Sequence, residues 1–545
     1  MAKTAIGVDL GPSPMSVEAP GGARRSRRRH GARPPRGLLL VASVAVLLIL
    51  VPVVVNLGQA IAGGWSAAQR VLHDQAALSL LGHTLFIAAI VTPLCVVVGV
   101  SAAWFLERTE IPGRRVWALL IVAPLTVPPL VVSFAWVSVT SAMQGYLGAV
   151  VITTLTYSPI VFLLVTVALR GLDPALEESA RSLGCGAGAT FWRVVLPHLR
   201  PAILGGSLLV VLDLLVEYDA YAALHIQTFS TNVYAQYQFG STTGAAVLSC
   251  VTTVLCVVFL MIEAKARGGA GYARIDQGTR RPPIRHALGR VKIPVLIALG
   301  ALVGASLGVP IGTLIYWFTQ SSAAGLAAAS AGLHYLPVAT LTSVGLGVGA
   351  AVVGVALALP LALIVTRYRS RFGAFLERGS YLSFALPDLV GALALAYAAV
   401  HFARFLYESV PLLVIGYAIL FVPLALVAIR ASLGQIEPRL EDSARSLGSS
   451  GLGVFARVTL PLARPGLAAA GLLVFAFTIG DLTTAQVLLP PSMYTLMTQF
   501  SANGSTVAFA AAAPYAAVLI GLALVAAAIV LHGYGRVRTA RPSDR

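Results

Sequence analysis

The sequence predicts an all-α integral membrane protein of about twelve spans, built as two repeated six-helix halves, and three observations predict it. Hydrophobic residues make up 57% of the 545 and charged residues only 11%, a balance foreign to water-soluble globules of this length. Apolar runs of about 20 residues recur from residue 38 to residue 533, each long enough as a helix to cross a hydrocarbon core of roughly 30 Å. Blocks of sequence also recur at a constant offset of 264 residues, the mark of an internal repeat.

Lipid offers no hydrogen-bond partners, so spans must be helices or a closed barrel, and long runs without period-two alternation choose helices. The spans fall at 38–58, 83–106, 116–143, 146–168, 201–222, 241–263, 292–318, 338–366, 377–400, 409–430, 465–485 and 506–533. Five regions result: a basic tail (1–37), a first half (38–263), a linker (264–291), a second half (292–533) and a second tail (534–545). The first tail is rich in Gly, Pro and Arg and is expected to be disordered, touching anionic lipid. The first apolar run is longer than a signal-peptide core and reads as a retained anchor.

The formal charge of +17 does not point to nucleic acid, because the arginines lie in short segments between apolar runs, where they set orientation. Basic groups mark alternate connections: 24–36, 108–115, the linker, 367–378 and 536–545. All are cytoplasmic if both termini are inside. Cys95, Cys185, Cys250 and Cys256 show no CxxC spacing, so neither a zinc site nor a disulfide framework is indicated.

The repeat is densest at 172–184, LDPALEESARSLG, against 436–448, IEPRLEDSARSLG, with Leu196-Pro197 and Leu460-Pro461 following in register. Asp173 is a good N-cap, Pro174 suits the first helical position and Glu177 and Glu178 favour the positive end of the dipole, so a helix is expected from Pro174 to about Leu183. Gly184 can take the left-handed conformation that ends it, and Pro197 should stop the segment that follows. Leu172, Leu176, Ala180 and Leu183 form an apolar stripe, repeated as Ile436, Leu440, Ala444 and Leu447. A helix that only rested on lipid would need this amphipathicity but not the repeated polar identities.

At these residues the chain resembles the bacterial importer permeases of the ATP-binding cassette (ABC) class, which carry a cytoplasmic motif of the form EAA, three residues, G, nine residues, I, one residue, LP. Glu178-Ser179-Ala180, Gly184, Val194 and Leu196-Pro197 fit that spacing within 173–198, and Asp442-Ser443-Ala444, Gly448, Val458 and Leu460-Pro461 fit it within 437–462. Nearly the whole chain is similar to the fused iron(III) and thiamine permeases of this class. The resemblance implies a type I importer permease in the bacterial inner membrane, with each motif helix seated in a groove of one ATPase subunit. It implies as partners two copies of a cytoplasmic ABC ATPase and an extracytoplasmic solute-binding protein. ATP and magnesium would be held by the ATPase, with no cofactor on this chain.

The residues agree that hydrolysis occurs elsewhere. A phosphate-binding loop needs lysine after glycine, and Lys3, Lys265 and Lys292 do not follow one. No HExxH, GxSxG or metal-ligand cluster appears either, so no enzymatic activity is expected. A twelve-span transporter driven by an ion gradient would explain the spans but leave both motif helices without a task.

Ionisable groups inside spans are costly and mark substrate paths. Asp213 and Glu217 share one face of the fifth span, and the offset of 264 places Asp481 opposite Glu217. They either line a translocation cavity or, since Glu217 lies about 24 Å along a helix begun at Pro201, sit in a solvated outer mouth. Asp388 beside Pro387 is a further candidate. Acidic and phenolic groups favour a cation over sulfate or phosphate, with iron(III) first and thiamine second.

Overall fold

The computed structural model describes residues 34–65, 69, 73, 75–172, 174–267, 285–319, 323–368, 371–384, 386–436, 438–506 and 508–536. Among these every regular element is a helix, apart from one isolated backbone bridge. Expectations placed on the tail before residue 34, on 268–284 of the linker, on Asp173 as an N-cap and on 537–545 lie outside the described residues.

The first half comprises α1 (Arg36–Ala62), α2 (Gln75–Arg108), α3 (Arg114–Val122), α4 (Pro129–Val139), α5 (Tyr146–Gly171), α6 (Pro174–Ser182), α7 (Leu196–Val216), α8 (Asp219–Ala223), α9 (Phe229–Gln238) and α10 (Thr242–Arg267). The second comprises α11 (Lys292–Val303), α12 (Val309–Thr319), α13 (Ala323–Arg367), α14 (Arg371–Phe384), α15 (Asp388–Phe402), α16 (Val410–Gln435), α17 (Pro438–Ser446), α18 (Leu460–Gly480), α19 (Thr483–Leu488), α20 (Leu496–Ser505) and α21 (Phe509–Arg536).

Ten helical stretches among the described residues are long and apolar enough to cross a membrane, five in each half. The third expected span of each half is broken instead. Arg114–Leu125 and Pro129–Val139 meet at 94°, because Pro128 and Pro129 remove two N–H donors and push the preceding residue out of helical geometry. The 377–400 run parts in the same way before Pro387, into α14 and α15. The fifth span also differs from 201–222, running over Gly188–Val216. Pro197 does not stop it: a π-helical turn at Phe191–Val195 leads into α7, and the proline occupies the first turn of α7, where its missing N–H is least costly. The second half repeats this through a π-helical turn at Phe455–Thr459.

The repeat is piecewise. Thr84 and Ser343 lie 259 apart, each hydroxyl accepting the backbone N–H that starts a later helix, from Phe229 at 2.9 Å and from Leu496 at 2.9 Å. The offset becomes 264 at Pro159 and Pro423, and 267 at Thr228 and Thr495, which form matching capping boxes on α9 and α20. The shifts fall in the extra length of α15 over α4 and in the turn after α19.

The halves are interlocked. α1 packs against α13, α14 and α15 of the other half, burying Ala42, Val46 and Ile49 there, while α11 and α12 pack against α3, α4 and α21. Within the first half α2 crosses α5 closely at Gly99, where an added Cβ would stand 2.8 Å from both the Phe162 nitrogen and the Val161 Cβ. Small residues at crossings let membrane helices approach without the help of a hydrophobic effect.

Candidate functional site

Two matched elements stand out. At the first, the helix α6 ends as the sequence predicts, at Gly184 with φ +84°. The Cys185 N–H donates to the Ala180 carbonyl at 3.0 Å and the Gly184 N–H to the Arg181 carbonyl at 2.9 Å, a Schellman closure that only glycine enters without strain. α17 closes identically at Gly448, also φ +84°, with Ser449 to Ala444 at 3.1 Å and Gly448 to Arg445 at 3.0 Å. The repeated polar string therefore encodes one helix–turn geometry twice.

The apolar stripe is only partly covered: Ile436 is buried and Leu172 packs against the core. Ala180 is buried, but Leu183 and Leu447 are 84% and 86% exposed, and Leu176 and Leu440 are also exposed. The inward face is held by ion pairs. Arg108, buried at the end of α2, donates through Nε to Glu177 Oε1 at 2.9 Å and through Nη2 to the Leu169 carbonyl at 2.9 Å. Arg367, at the end of α13, donates through Nε to Glu441 Oε1 at 3.0 Å, and the Thr459 hydroxyl donates to the same oxygen at 3.2 Å. Sequence reasoning singled out Glu178 and Asp442, which are exposed together with Ser179 and Ser443, and missed the buried pairs beside them. The signal was available: Arg108 and Arg367 end corresponding spans, 259 residues apart. Ala444, Leu196, Pro197, Leu460 and Pro461 are partly buried at the foot of each element.

The two helices differ in one respect. Arg445 folds back on Asp442 at 2.8 Å, whereas its counterpart Arg181 reaches the ring of His286 in the linker. The linker is stitched down there, His286 N–H donating to the Arg108 carbonyl at 2.9 Å and Glu110 N–H to the His286 carbonyl at 3.1 Å. Burial, then the Arg181 guanidinium, pushes the His286 imidazole below its ordinary value.

The second element lies where α7 and α18 stop. Glu217 is buried, with 9% exposure, so the solvated-mouth reading does not hold for it. Its Oε1 accepts the Ala220 N–H at 2.8 Å and its Oε2 accepts the Tyr157 hydroxyl. Asp481 repeats the arrangement: Oδ2 accepts the Thr484 N–H at 2.9 Å, Oδ1 accepts the Thr483 hydroxyl at 3.1 Å, and the buried Tyr417 bonds to it. Residue 484 is to 481 as 220 is to 217, so each carboxylate caps the short helix after its own span. Tyr417 stands one helical turn before the position equivalent to Tyr157, which Phe421 occupies. Between the halves is a small cavity of about 50 Å³, lined in part by Tyr218, Asp219, Ser230, Asp388, Asp481 and Thr483. Asp213 and Glu217 do not line it. Among the described residues no three His, Cys, Asp or Glu side chains are placed to hold a metal ion.

Each half thus carries one anchored helix and one capping carboxylate, and comparison with known proteins gives the family. Residues 95–265 and again 353–538 match the family described as binding-protein-dependent transport system inner membrane component. The chain belongs to that family. The permease is 33% identical over 492 residues, 90% of its length and 96% of the relative's, to the Fe(3+)-transport system permease protein FbpB 2 of Haemophilus influenzae. It is 28% identical over 250 residues, 41% of its own length and 90% of the relative's, to the sulfate transport system permease protein CysW of Synechocystis sp.. A third relative, the molybdenum transport system permease protein ModB of Escherichia coli, is 28% identical over 189 residues, 30% of this chain and 82% of that protein. The sulfate and molybdenum proteins are thus matched by less than half of this permease, whereas the iron protein is matched nearly end to end. Each family match spans one anchored helix and one capping carboxylate.

Proposed function

We propose that this permease passes iron(III), delivered by an extracytoplasmic binding protein, and that two copies of a cytoplasmic ABC ATPase drive it, one gripping α6 and the other α17. The observation that carries the reading is the identical seating of these two helices. Arg108, buried, and Arg367, half-buried, fix them from behind, and Leu183 and Leu447 are left uncovered in front. Exposed leucines on a water-facing helix end ask for a partner.

ATP and magnesium belong to that partner, and both termini of the permease lie in the cytoplasm. Closure of the ATPase pair draws α6 and α17 together, and the ion pairs pass the movement to α2 and α13. The bundle then rocks between inward-open and outward-open states, biased by differential contact in each. The near-complete match to a permease named for Fe(3+) supports the choice of iron, and the carboxylates at the constriction favour a cation over sulfate or molybdate.

The test is gentle solubilisation of the tagged permease, identification of co-purifying chains, and iron(III) uptake after reconstitution. Recovery of a P-loop ATPase at two copies per permease, with ATP-dependent uptake, is the expected result. A chain that purifies alone and transports on an ion gradient would overturn the reading.

A further inference from the structure

Three spans reach one level of the membrane beside the linker. The span of α2 ends at Arg108, that of α5 at Arg170, and the span that contains α11 begins at Gly289. The linker is fixed at this level by its backbone, since the His286 N–H bonds to the Arg108 carbonyl and the His286 carbonyl to the Glu110 N–H. The short connection from α2 to α3 lies alongside, so segments far apart in sequence converge where the helices leave the bilayer.

What converges is positive charge. Arg114 and Arg115 open α3, Arg285 precedes His286, and Arg290 and Lys292 stand at the start of the next span. Arg114 is half-buried and the other four are exposed. The Arg114 guanidinium lies within electrostatic reach of Arg285, Arg115 and Arg170. Glu107 acts on it as well, but this carboxylate is already held by Arg170 Nε at 2.8 Å. Among the described residues none of the five cations forms an ion pair. Orientation in the membrane needs basic residues near span ends but not their convergence from three separate segments. Like charges gathered without counter-charges repel one another and set up a potential that attracts an anion.

The surface just inside the charges is apolar and uncovered. Val116 on α3 is 58% exposed, and Val291 and Ile293 at the start of α11 are 55% and 68% exposed. Trp117, half-buried against the core, stands at the same level, where tryptophan marks the boundary between headgroups and hydrocarbon. A ligand that matches both surfaces has an anionic head and an apolar tail.

We propose that Arg114, Arg115 and Arg285 form a binding site for the phosphate headgroup of an anionic membrane phospholipid, whose acyl chains lie along α3 and α11. Basic clusters between span ends take such headgroups, and the planar fork of arginine suits phosphate oxygens. Because Arg285 comes from the linker, which the chain has once, the internal repeat does not generate a second copy of the site. The site is independent of which solute the permease passes.

The test measures lipid binding by the purified full-length permease. Protein in mild detergent is titrated with phosphatidylglycerol or with phosphatidylcholine, and the lipid that stays bound is counted by native mass spectrometry. The wild type is expected to prefer phosphatidylglycerol. A basic group near an anionic surface contributes roughly fivefold in affinity, so Arg115→Gln should weaken phosphatidylglycerol binding about fivefold, and Arg114→Gln with Arg285→Gln about thirtyfold, with phosphatidylcholine binding unchanged. Arg114→Lys with Arg285→Lys keeps the charge and should keep most of the affinity. Unchanged phosphatidylglycerol binding in the single and the double glutamine variants would overturn the site. An equal loss of both lipids would mark the arginines as structural and overturn it too, and so would displacement of the lipid by an equal concentration of inorganic phosphate, which would make a free anion the ligand.

Discussion

Removing the Glu177 carboxylate should uncouple α6. In Glu177→Ala the guanidinium of Arg108, 1% exposed, keeps its bond to the Leu169 carbonyl but loses its counter-charge. Truncating one member of a buried pair costs about 3–5 kcal/mol, because the remaining charge stays desolvated. α6 has only nine residues, and Glu177 and Ala180 are its buried side chains, so little else holds it down. At about 1.4 kcal/mol per factor of ten, the ratio of seated to unseated α6 falls by roughly two to three orders of magnitude. In a reconstituted assembly uptake should drop steeply, and limited proteolysis should cut between 172 and 184 where the wild type is protected. The double variant Arg108→Met with Glu177→Met replaces the pair by apolar groups of similar length and should recover protection, since well-packed apolar substitutes for a buried pair are often neutral. A Glu177→Ala protein with wild-type uptake and protection would refute the anchoring argument, and so would a double variant as labile as the single one.

Three further outcomes follow from the same geometry. Gly184→Val and Gly448→Val place a β-branched residue at φ +84°, and although nothing lies within 4 Å of the new Cβ the backbone strain is about 1–3 kcal/mol; uptake should fall, most in the double variant, with membrane abundance unchanged. His286 is held below its ordinary value of 6.5 by burial and Arg181, with Arg108 acting in the same sense and Glu177 opposing. A lowered histidine favours the neutral form when seated, so the linker contact is complete above 6.5 and is lost as internal pH falls through the lower seated value; uptake measured against internal pH should decline on acidification, and less so in His286→Asn. Gly99→Val forces a side chain into the α2–α5 crossing and should cost at least about 1–3 kcal/mol by overpacking, read as reduced yield and a lower unfolding temperature in detergent.

Much of this was legible in residue order, and the exceptions have definite causes. Apolar run length located ten spans, because lipid leaves the backbone no other choice. It passes over the breaks at Pro128 and Pro387, where hydropathy continues smoothly while the backbone donors do not. The constant offset of 264 exposes the motif helices but hides the Arg108 and Arg367 anchors, since four extra residues in α15 over α4 and one in the turn that follows shift the register before it. Amphipathicity reveals the apolar stripe on α6 but not which way it turns: Glu177 finds a buried arginine, and Leu183 extends beyond the last turn. Glu217 was correctly paired with Asp481, yet its burial depended on Tyr157, 60 residues earlier, a contact no local pattern announces.

The exchange of first helices has a consequence for how the chain is made. α1 finds its packing partners on α13, α14 and α15, the last of which ends at Phe402, about 340 residues after α1 itself is complete; at the usual synthesis rates of roughly 5–20 residues per second that is a wait of about 20–70 s. During this interval α1 meets α10 of its own half, but the face that carries Ala42, Val46 and Ile49 stands in the bilayer uncovered. The first half is then a nascent structure with one seam open, and the arrival of the second half closes it. Carrying both halves on one polypeptide guarantees that the partner emerges beside the open seam, at a local concentration no separately synthesised half would reach.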